Sequence, residues 1–290
     1  MSSSYFHHRI DGTQYDRVCQ GRLTLTSGIP VTTSDVTGAS TIYFSPYLGN
    51  IVTLFVDGRW RPYEFNEISK TLTSLTSGLP YDVFLYYDGS LNLEFVAWTN
   101  GTTRATNLTV QNGSLVKSGD STRLYLGTFY TTGTTTTEDS NTKRFVFNHY
   151  NRAQRTLLKT ESTNSWTYNS TTWRSFNNST ANRVEVVIGV AEVMLELDAL
   201  AHATPGSGSW CMVGICEDNT NANNADLVQL AYVDSYPPVR ALLKKYPAEG
   251  YHYYQITEAC GTAVTSTFYS DYTVSGSPHR RSGMTGYLMG

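Results

Sequence analysis

Apolar and polar positions alternate along much of the first half of this chain, which predicts β-strands. Leu91, Leu93 and Phe95 occupy odd positions, whereas Asn92 and Glu94 fall between them. Side chains of one parity share one face of a strand, so the pattern indicates a core-facing side and a solvent-facing side. The neighbouring segments repeat this alternation, which makes the region rich in strands.

Three dipeptides between such segments predict tight hairpin turns. They are Asp57-Gly58, Asp88-Gly89 and Asn112-Gly113. Both residues of such a pair tolerate positive φ, and a type I′ turn matches the twist of its flanking strands. We therefore expect three two-residue hairpins in this half of the chain.

In the second half, the alternation changes phase within one apolar stretch. Apolar residues occupy even positions from Val184 to Ile188 and odd positions from Val193 to Leu197. A single pleated strand cannot bury both sets on one face. A bulge or bend near Gly189 restores the phase, as happens where a chain turns the corner of a sandwich.

One short segment has helical spacing instead. Leu242, Leu243 and Tyr246 follow Val239 by three, four and seven positions, and Pro247 comes directly after Tyr246. This spacing predicts a single short helix near residues 238–246.

The predicted fold class is all-β, with two antiparallel β-sandwich or jelly-roll-like units and that one short helix. Residues 1–21 show no sustained periodicity and are interpreted as an N-terminal arm. We place an N-terminal β domain at 22–155 and a C-terminal jelly-roll-like β domain at 156–290. The 290 residues are enough for two such domains.

Charge and composition exclude some partners. Charged residues make up 16% of the chain and the net charge is −3, so no strong field would attract nucleic acid. The N-terminal sequence MSSSYFHHRIDG lacks the apolar core of a signal peptide. No apolar run is long enough to span a bilayer, so membrane insertion is not expected.

The four cysteines are Cys19, Cys211, Cys216 and Cys260. Cys211 and Cys216 lie five residues apart in a predicted strand, which places their sulfurs on opposite faces. They cannot bridge each other or share a metal ion while the strand stays extended. Buried free thiols are the simpler interpretation, and a bridge from either residue to Cys260 stays open.

No motif for catalysis, a cofactor or a metal stands out, so the chain is predicted not to be an enzyme. Asn219, Asn221 and Asn223 have the start of a calcium-loop spacing, but Asn224 and Leu230 stand where that loop needs glycine and glutamate. A loose ion site using Asp218 and Asp226 is a minor alternative to a solvated loop. Paired carboxylates leave open a polysaccharide depolymerase.

Aromatic side chains are the remaining candidates for recognition. The chain has 21 tyrosines and 5 tryptophans. Their rings can stack on sugars or pack in a subunit interface, and they are also ordinary residues of β-sheets. The candidate ligand or interface residues are Trp60, Trp98, Trp166 and Trp173.

Several runs of sequence resemble known viral modules. LTSGIPVTTSDVTGASTIYFSPYLGNIVTLFVDGRWRPYEF, PYDVFLYYDGSLNLEFVAWTN and YLGTFYTTG look like a module of virion-surface proteins in tailed bacteriophages. The C-terminal runs YPAEGYHYYQITE and SGMTGYLMG are similar to a jelly-roll-like module at the ends of such proteins. That family includes tail fibre, tail tip and capsid-decorating proteins, often trimeric. The matching residues include no catalytic ones.

The resemblance implies a virion structural protein, displayed on the capsid or tail and assembled in the host cytoplasm as an oligomer, by expectation a homotrimer. The N-terminal arm is then expected to attach the chain to other virion proteins. The alternative is a lectin-like tail protein that binds host surface glycans through its tryptophans.

Overall fold

The structure is a computed structural model that describes residues 18–230, 232–233, 238–262, 264–274 and 277–290. The predicted arm at residues 1–21 therefore lies mostly outside the described residues. The strands of the first half are β1 Gly21–Thr24, β2 Val36–Ala39, β3 Thr41–Pro46, β4 Ile51–Val56, β5 Arg59–Glu64, β6 Ile68–Thr71, β7 Pro80–Tyr87, β8 Leu91–Ala97, β9 Leu108–Gln111, β10 Ser114–Lys117, β11 Asp120–Tyr130, β12 Thr137–Asp139, β13 Lys143–Arg144 and β14 Val146–Asn148.

The second half is equally rich in strands. They are β15 Gln154–Thr160, β16 Ser165–Tyr168, β17 Arg174–Ser175, β18 Arg183–Ile188, β19 Leu195–Thr204, β20 Trp210–Glu217, β21 Val228–Leu230, β22 Tyr232–Val233, β23 Val239–Lys245, β24 Gly250–Cys260, β25 Ser266–Tyr269, β26 Tyr272–Val274, β27 Ser277–Arg280 and β28 Gly283–Met289. A single 3-10 turn, Phe176–Asn178, is the only helical element of the described residues. The prediction of an all-β fold is confirmed.

The chain folds into two compact units. The first contains residues up to Asp139 together with Phe145–Ala153 and Glu249–Tyr251, and the second contains Ser140–Arg144, Gln154–Ala248 and His252–Gly290. Ser140–Arg144 and Glu249–Tyr251 thus each belong to a different unit from the residues on either side of them. A single boundary in the sequence does not describe this arrangement. The domain boundaries proposed from sequence stay predictions.

The first unit has a core built from alternating strand residues. Strands β8, β7, β11, β10 and β9 form one sheet in that order, β14 also pairs with β11, and β1, β3 and β6 form another. Ile42, Leu54, Val83 and Phe129 are each completely buried in this core. Such burial of aliphatic and aromatic side chains is the main stabilising contribution to the fold.

All three predicted hairpins form, but only two have the predicted turn. Asp57 and Gly58 have φ values of 51° and 75°, and Asn112 and Gly113 have 51° and 87°, as a type I′ turn requires. At the second hairpin Tyr87 pairs with Leu91, so three residues connect the strands. There only Gly89 has positive φ, at 96°, and the type I′ prediction for that turn is wrong.

The second unit contains two large sheets and the two-stranded sheet of β26 and β27. One has the order β13, β18, β24, β20 and β22, and β17 also pairs with β24. The other, which we call the β19 sheet, has the order β15, β28, β19, β23 and β21, and β25 with β16 extends from β19. Along β19, Leu195, Leu197, Ala199, Ala201 and Ala203 are buried, and the residues between them are partly exposed. One face of this sheet therefore forms core and the other faces outward.

The change of phase after Val184 is a change of sheet. Strand β18 ends at Ile188 and lies in the sheet of β24, whereas β19 begins at Leu195 in the other sheet. The predicted bend near Gly189 is confirmed, and it separates two strands rather than distorting one. Both apolar sets become buried because each belongs to a different sheet.

The predicted helix at 238–246 is wrong. Residues 239–245 form β23, in which Val239, Ala241 and Leu243 are buried and alternate with outward-facing residues. Short apolar runs fit both periods, so spacing alone cannot separate helix from strand. Here β19 pairs with β23 along seven residues, from Ala201–Val239 to Leu195–Lys245, and these contacts determine the outcome.

Strand β28 lies between β15 and β19, and its glycines allow this close fit. Gly286 pairs with Leu157 on one side and Leu197 on the other. A Cβ atom added to Gly286 would lie 2.0 Å from the Glu196 carbonyl oxygen and 2.8 Å from Leu197 Cδ2. Packing within the chain thus accounts for this glycine.

We predict that Gly286→Ala destabilises the second unit by about 1–3 kcal/mol or more, because backbone atoms must move to admit the methyl group. The measurement is the midpoint of guanidinium-induced unfolding. Gly101→Ala is the matched control, since a Cβ atom there meets nothing within 4 Å. Equal midpoints for the two variants would contradict the packing argument.

Candidate interaction surface

Within the described residues, no group of three or more histidine, cysteine, aspartate or glutamate side chains is arranged to hold a metal ion. Helices long and apolar enough to cross a membrane are likewise missing from this part of the chain.

The asparagine-rich loop at 218–226 uses its side chains to hold its own backbone. Asn219 Oδ1 accepts hydrogen bonds from the backbone N–H groups of Asn221 and Ala222, at 2.8 and 3.1 Å. Asn223 Oδ1 accepts one from the Thr257 hydroxyl at 2.9 Å. These oxygens are engaged in turn and loop contacts, which explains the asparagine content without an ion.

Two of the four candidate tryptophans belong to the core of the first unit. Trp60 is 4% exposed and meets the Phe55 ring edge-on at 5.6 Å. Trp98 is 3% exposed, and the Arg104 guanidinium lies over its ring at 4.4 Å. Neither ring has a face open to a ligand, so both side chains serve packing in this fold.

Trp166 lies in the second unit and is held by a buried carboxylate. Its Nε1 donates a hydrogen bond of 2.8 Å to Glu258, and its ring stacks on Phe268 at 5.8 Å. Glu258 is completely buried and also pairs with Arg174 at 2.7 Å. Burial raises the pKa of Glu258, and the hydrogen bond from Trp166 and the charge of Arg174 oppose that rise. The geometry gives Trp166 a structural role.

Trp173 is the candidate with the most accessible surroundings. It is half-buried and precedes Arg174, whose guanidinium lies 3.8 Å from the centre of the Tyr168 ring. The Tyr168 hydroxyl donates to the Thr172 carbonyl at 2.7 Å, which fixes the turn between them. Trp173 is the sequence neighbour of Arg174, and we call Trp173, Tyr168 and Arg174 the Trp173 patch.

A larger surface is the outward-facing side of the β19 sheet, which we call the outer face. On it, acidic residues of β19 lie beside basic residues of β23. Glu196 pairs with Lys244 at 2.7 Å, and Asp198 pairs with Arg240 at 2.6 Å. The Tyr287 hydroxyl on β28 donates to Glu196 at 2.6 Å. An acidic column and a basic column thus run side by side across the face.

These contacts shift the pKa values of four side chains on the outer face. Hydrogen bonds from Lys244 and Tyr287 lower the pKa of Glu196. The same contacts raise the pKa values of Lys244 and Tyr287, and the hydrogen bond to Asp198 raises the pKa of Arg240. The Glu196–Lys244 pair therefore stays charged across the neutral range.

Exposed apolar side chains also collect on the outer face. Leu158, Met194, Val228, Tyr246 and Met289 are 43%, 39%, 67%, 62% and 38% exposed. Leu195 pairs with Leu288 and with Lys245, so Met194, Tyr246 and Met289, each the next residue along its segment, lie at the same end of the sheet. Clusters of this kind are typical of protein contact surfaces.

Sequence reasoning missed the outer face because it placed β23 in a helix. A helix over residues 238–246 does not pair with β19, so it gives Arg240 and Lys244 no acidic neighbours. The signal that could have revealed the pairing is the matching period-two alternation in Val239–Lys245.

Comparisons with known proteins give no identification. No family model matches this chain, and no curated protein matches it.

The second unit contains a buried histidine that has two hydrogen-bond partners. His252 is 6% exposed, its Nδ1 lies 2.7 Å from Asp218 Oδ2, and its Nε2 lies 3.1 Å from the Ala248 carbonyl oxygen. Both partners only accept hydrogen bonds, so the ring satisfies both as an imidazolium. Burial alone would lower the pKa of His252, but the hydrogen bond and charge of Asp218 outweigh it, and the pKa is raised.

We predict that this pair contributes stability that is full below about pH 6.5, the unfolded pKa of histidine, and is lost as the pH rises through the higher folded pKa. Between pH 6 and 8, the free energy of unfolding of the native chain should fall relative to that of His252→Gln, which cannot titrate. Denaturant midpoints at several pH values measure this difference. Parallel curves for the two proteins would refute a protonated His252.

Proposed function

We propose that this chain is a structural protein of a bacteriophage particle, displayed on the capsid or tail, and that it assembles as a homotrimer through the outer face. The viral identity is supported by the sequence resemblance. The arm at residues 1–21 is the segment that we propose attaches the chain to other virion proteins. Assembly is supported by one observation above all, the exposure of Met194, Tyr246 and Met289 at one end of the outer face.

The arrangement of charge on the outer face favours a second copy of this chain as the occupant. Acidic Glu196 and Asp198 lie beside basic Lys244 and Arg240. A neighbouring copy can then place its acidic column over the basic column of the first, which gives attraction in one orientation and repulsion when like columns meet. Complementary charges of this kind select the register of an interface more than they add affinity.

The chain is expected to form a trimer of 32.2 kDa subunits in solution. Tyr246→Glu combined with Met289→Glu should shift it to a monomer, because two new charges would be buried without partners at the contact. Light scattering coupled to size-exclusion chromatography measures the mass. Both residues are exposed in the single chain, so the variant should keep its unfolding temperature.

Val110→Glu is the matched control for this experiment. Val110 is 65% exposed on β9, a strand of the first unit that is not part of the β19 sheet. This variant should remain a trimer. A native chain that is monomeric at every concentration would refute assembly through the outer face, and its absence from purified particles would refute the virion role.

The Trp173 patch favours a second candidate function, a lectin-like tail protein that binds host surface glycans. The Trp173 ring offers an apolar face of the kind on which sugars stack. Trp60, Trp98 and Trp166 each make one of the structural contacts given above. Among the described residues, no such contact is shown for the Trp173 ring.

If the second function holds, native protein should bind host cells in a saturable way and Trp173→Ala should abolish that binding without changing the subunit number. Tyr47→Ala is the control, since Tyr47 is an aromatic residue 41% exposed in the first unit. Equal binding by both variants would exclude the Trp173 patch as the glycan site. Release of reducing ends from capsule material would instead support a depolymerase.

A further inference from the structure

Two of the four cysteines face each other across neighbouring strands of the second unit. Strands β20 and β24 pair antiparallel with Cys211 directly opposite Cys260. Both side chains are completely buried, and their sulfur atoms are 3.1 Å apart. The chain therefore holds a dithiol whose members are already in contact.

The backbone at this position suits a covalent bond between them. The Cys260 N–H donates to the Ser170 carbonyl at 2.9 Å, away from β20, and the Gly261 N–H donates to the Trp210 carbonyl at 2.9 Å. Cys211 and Cys260 thus form a pair without direct backbone hydrogen bonds, where Cα atoms lie roughly 4.5 Å apart. That separation lies at the lower end of the range that disulfides occupy, about 4.4–6.8 Å.

The other two cysteines provide a contrast within the same chain. Cys216 lies five residues after Cys211, on the opposite face of β20, where it contacts Asn223 and Thr257. Cys19 belongs to the first unit, and burial raises its pKa to about 12, which suppresses its reactivity.

We propose that Cys211 and Cys260 are an oxidation site at which peroxide converts the buried dithiol into an intramolecular disulfide. The inference does not rest on the proposed function, because a chain outside any particle would react in the same way. A thiol made in a reducing cytoplasm would meet such an oxidant after release from the cell.

The chemistry is a two-electron oxidation. The Cys211 sulfur attacks one oxygen of hydrogen peroxide, the O–O bond breaks, and a sulfenic acid and water result. The Cys260 sulfur then displaces the sulfenic oxygen as a second water, and the S–S bond forms. In total, two thiols and one peroxide give one disulfide and two water molecules.

The contact between the sulfurs assigns the order of these steps. Cys260 donates its S–H to the Cys211 sulfur, and that hydrogen bond lowers the pKa of Cys211 while raising that of Cys260. Thiolate character favours attack on the oxidant, so Cys211 reacts first. The nearby Glu258 carboxylate acts against thiolate formation at both sulfurs, and burial restricts access to small oxidants.

The test treats the full-length folded protein with hydrogen peroxide and then counts thiols after denaturation. Native protein should go from four free thiols to two, with a mass decrease of about 2 Da for the two hydrogen atoms lost. A non-reducing peptide map should contain one cystine, between Cys211 and Cys260. The unfolding temperature should rise by about 5–10 °C, because the cross-link restricts the unfolded chain.

Matched variants separate this site from general oxidation. Cys216→Ser and Cys19→Ser should each still lose two thiols, whereas Cys211→Ser should keep all three of its own. If Cys211→Ser does not fold, the mass and peptide map of the native protein decide alone. A full thiol count after oxidation, a mass gain instead of a loss, or a cystine that contains Cys19 or Cys216 would overturn the proposal.

Discussion

The second unit depends on the pleat of one strand. Strand β19 pairs with β28, β23 and β25 over its ten residues, so three other strands take their register from it. Its side chains alternate between leucine or alanine on the inside and, on the outside, Glu196, Asp198, Leu200, His202 and Thr204. A slip of one residue would place Glu196 and Asp198 in the core, where an unpaired carboxylate is strongly unfavourable. The same alternation therefore fixes both the core and the outer face.

Buried charge adds a second constraint in each unit. In the first unit, Arg104 lies between the Trp98 ring and Asp82, pairs with Asp82 at 2.8 Å, and also contacts Glu249. In the second, Glu258 takes Arg174 as its partner. Burial of both members is costly, and removal of one member would leave the other charge unpaired in a poorly polar surrounding. Such pairs contribute little net stability but allow only one arrangement of the segments that carry them, including Glu249–Tyr251 in the first unit.

Local sequence determined much of this fold. The Asp57-Gly58 and Asn112-Gly113 turns follow from residues that tolerate positive φ, and the bend after Ile188 follows from a change of phase. What failed were features decided by distant residues. Val239–Lys245 has spacing compatible with a helix and becomes a strand because β19 provides seven pairing partners. The sequence also could not predict which aromatic side chains are buried. Trp60 and Trp173 are the same residue type, and only the packing around each ring shows which one is enclosed. The sequence allows a bridge to Cys260 from either Cys211 or Cys216. It does not choose between them, because neither cysteine determines the register between its strand and the next.

The balance of forces on the outer face indicates which of its contacts could drive association. The ion pairs Glu196–Lys244 and Asp198–Arg240 are already satisfied within one chain, and their basic members are 62% and 50% exposed. Exposed ion pairs of this kind contribute little to stability, so exchanging them between copies changes the free energy little. Met194, Tyr246 and Met289 differ from these ion pairs because each exposes apolar area to water in the single chain. A partner that covers this area would gain free energy from its burial. Affinity would then come from the apolar end of the sheet and orientation from the charged columns, which is the division of roles expected for a specific interface.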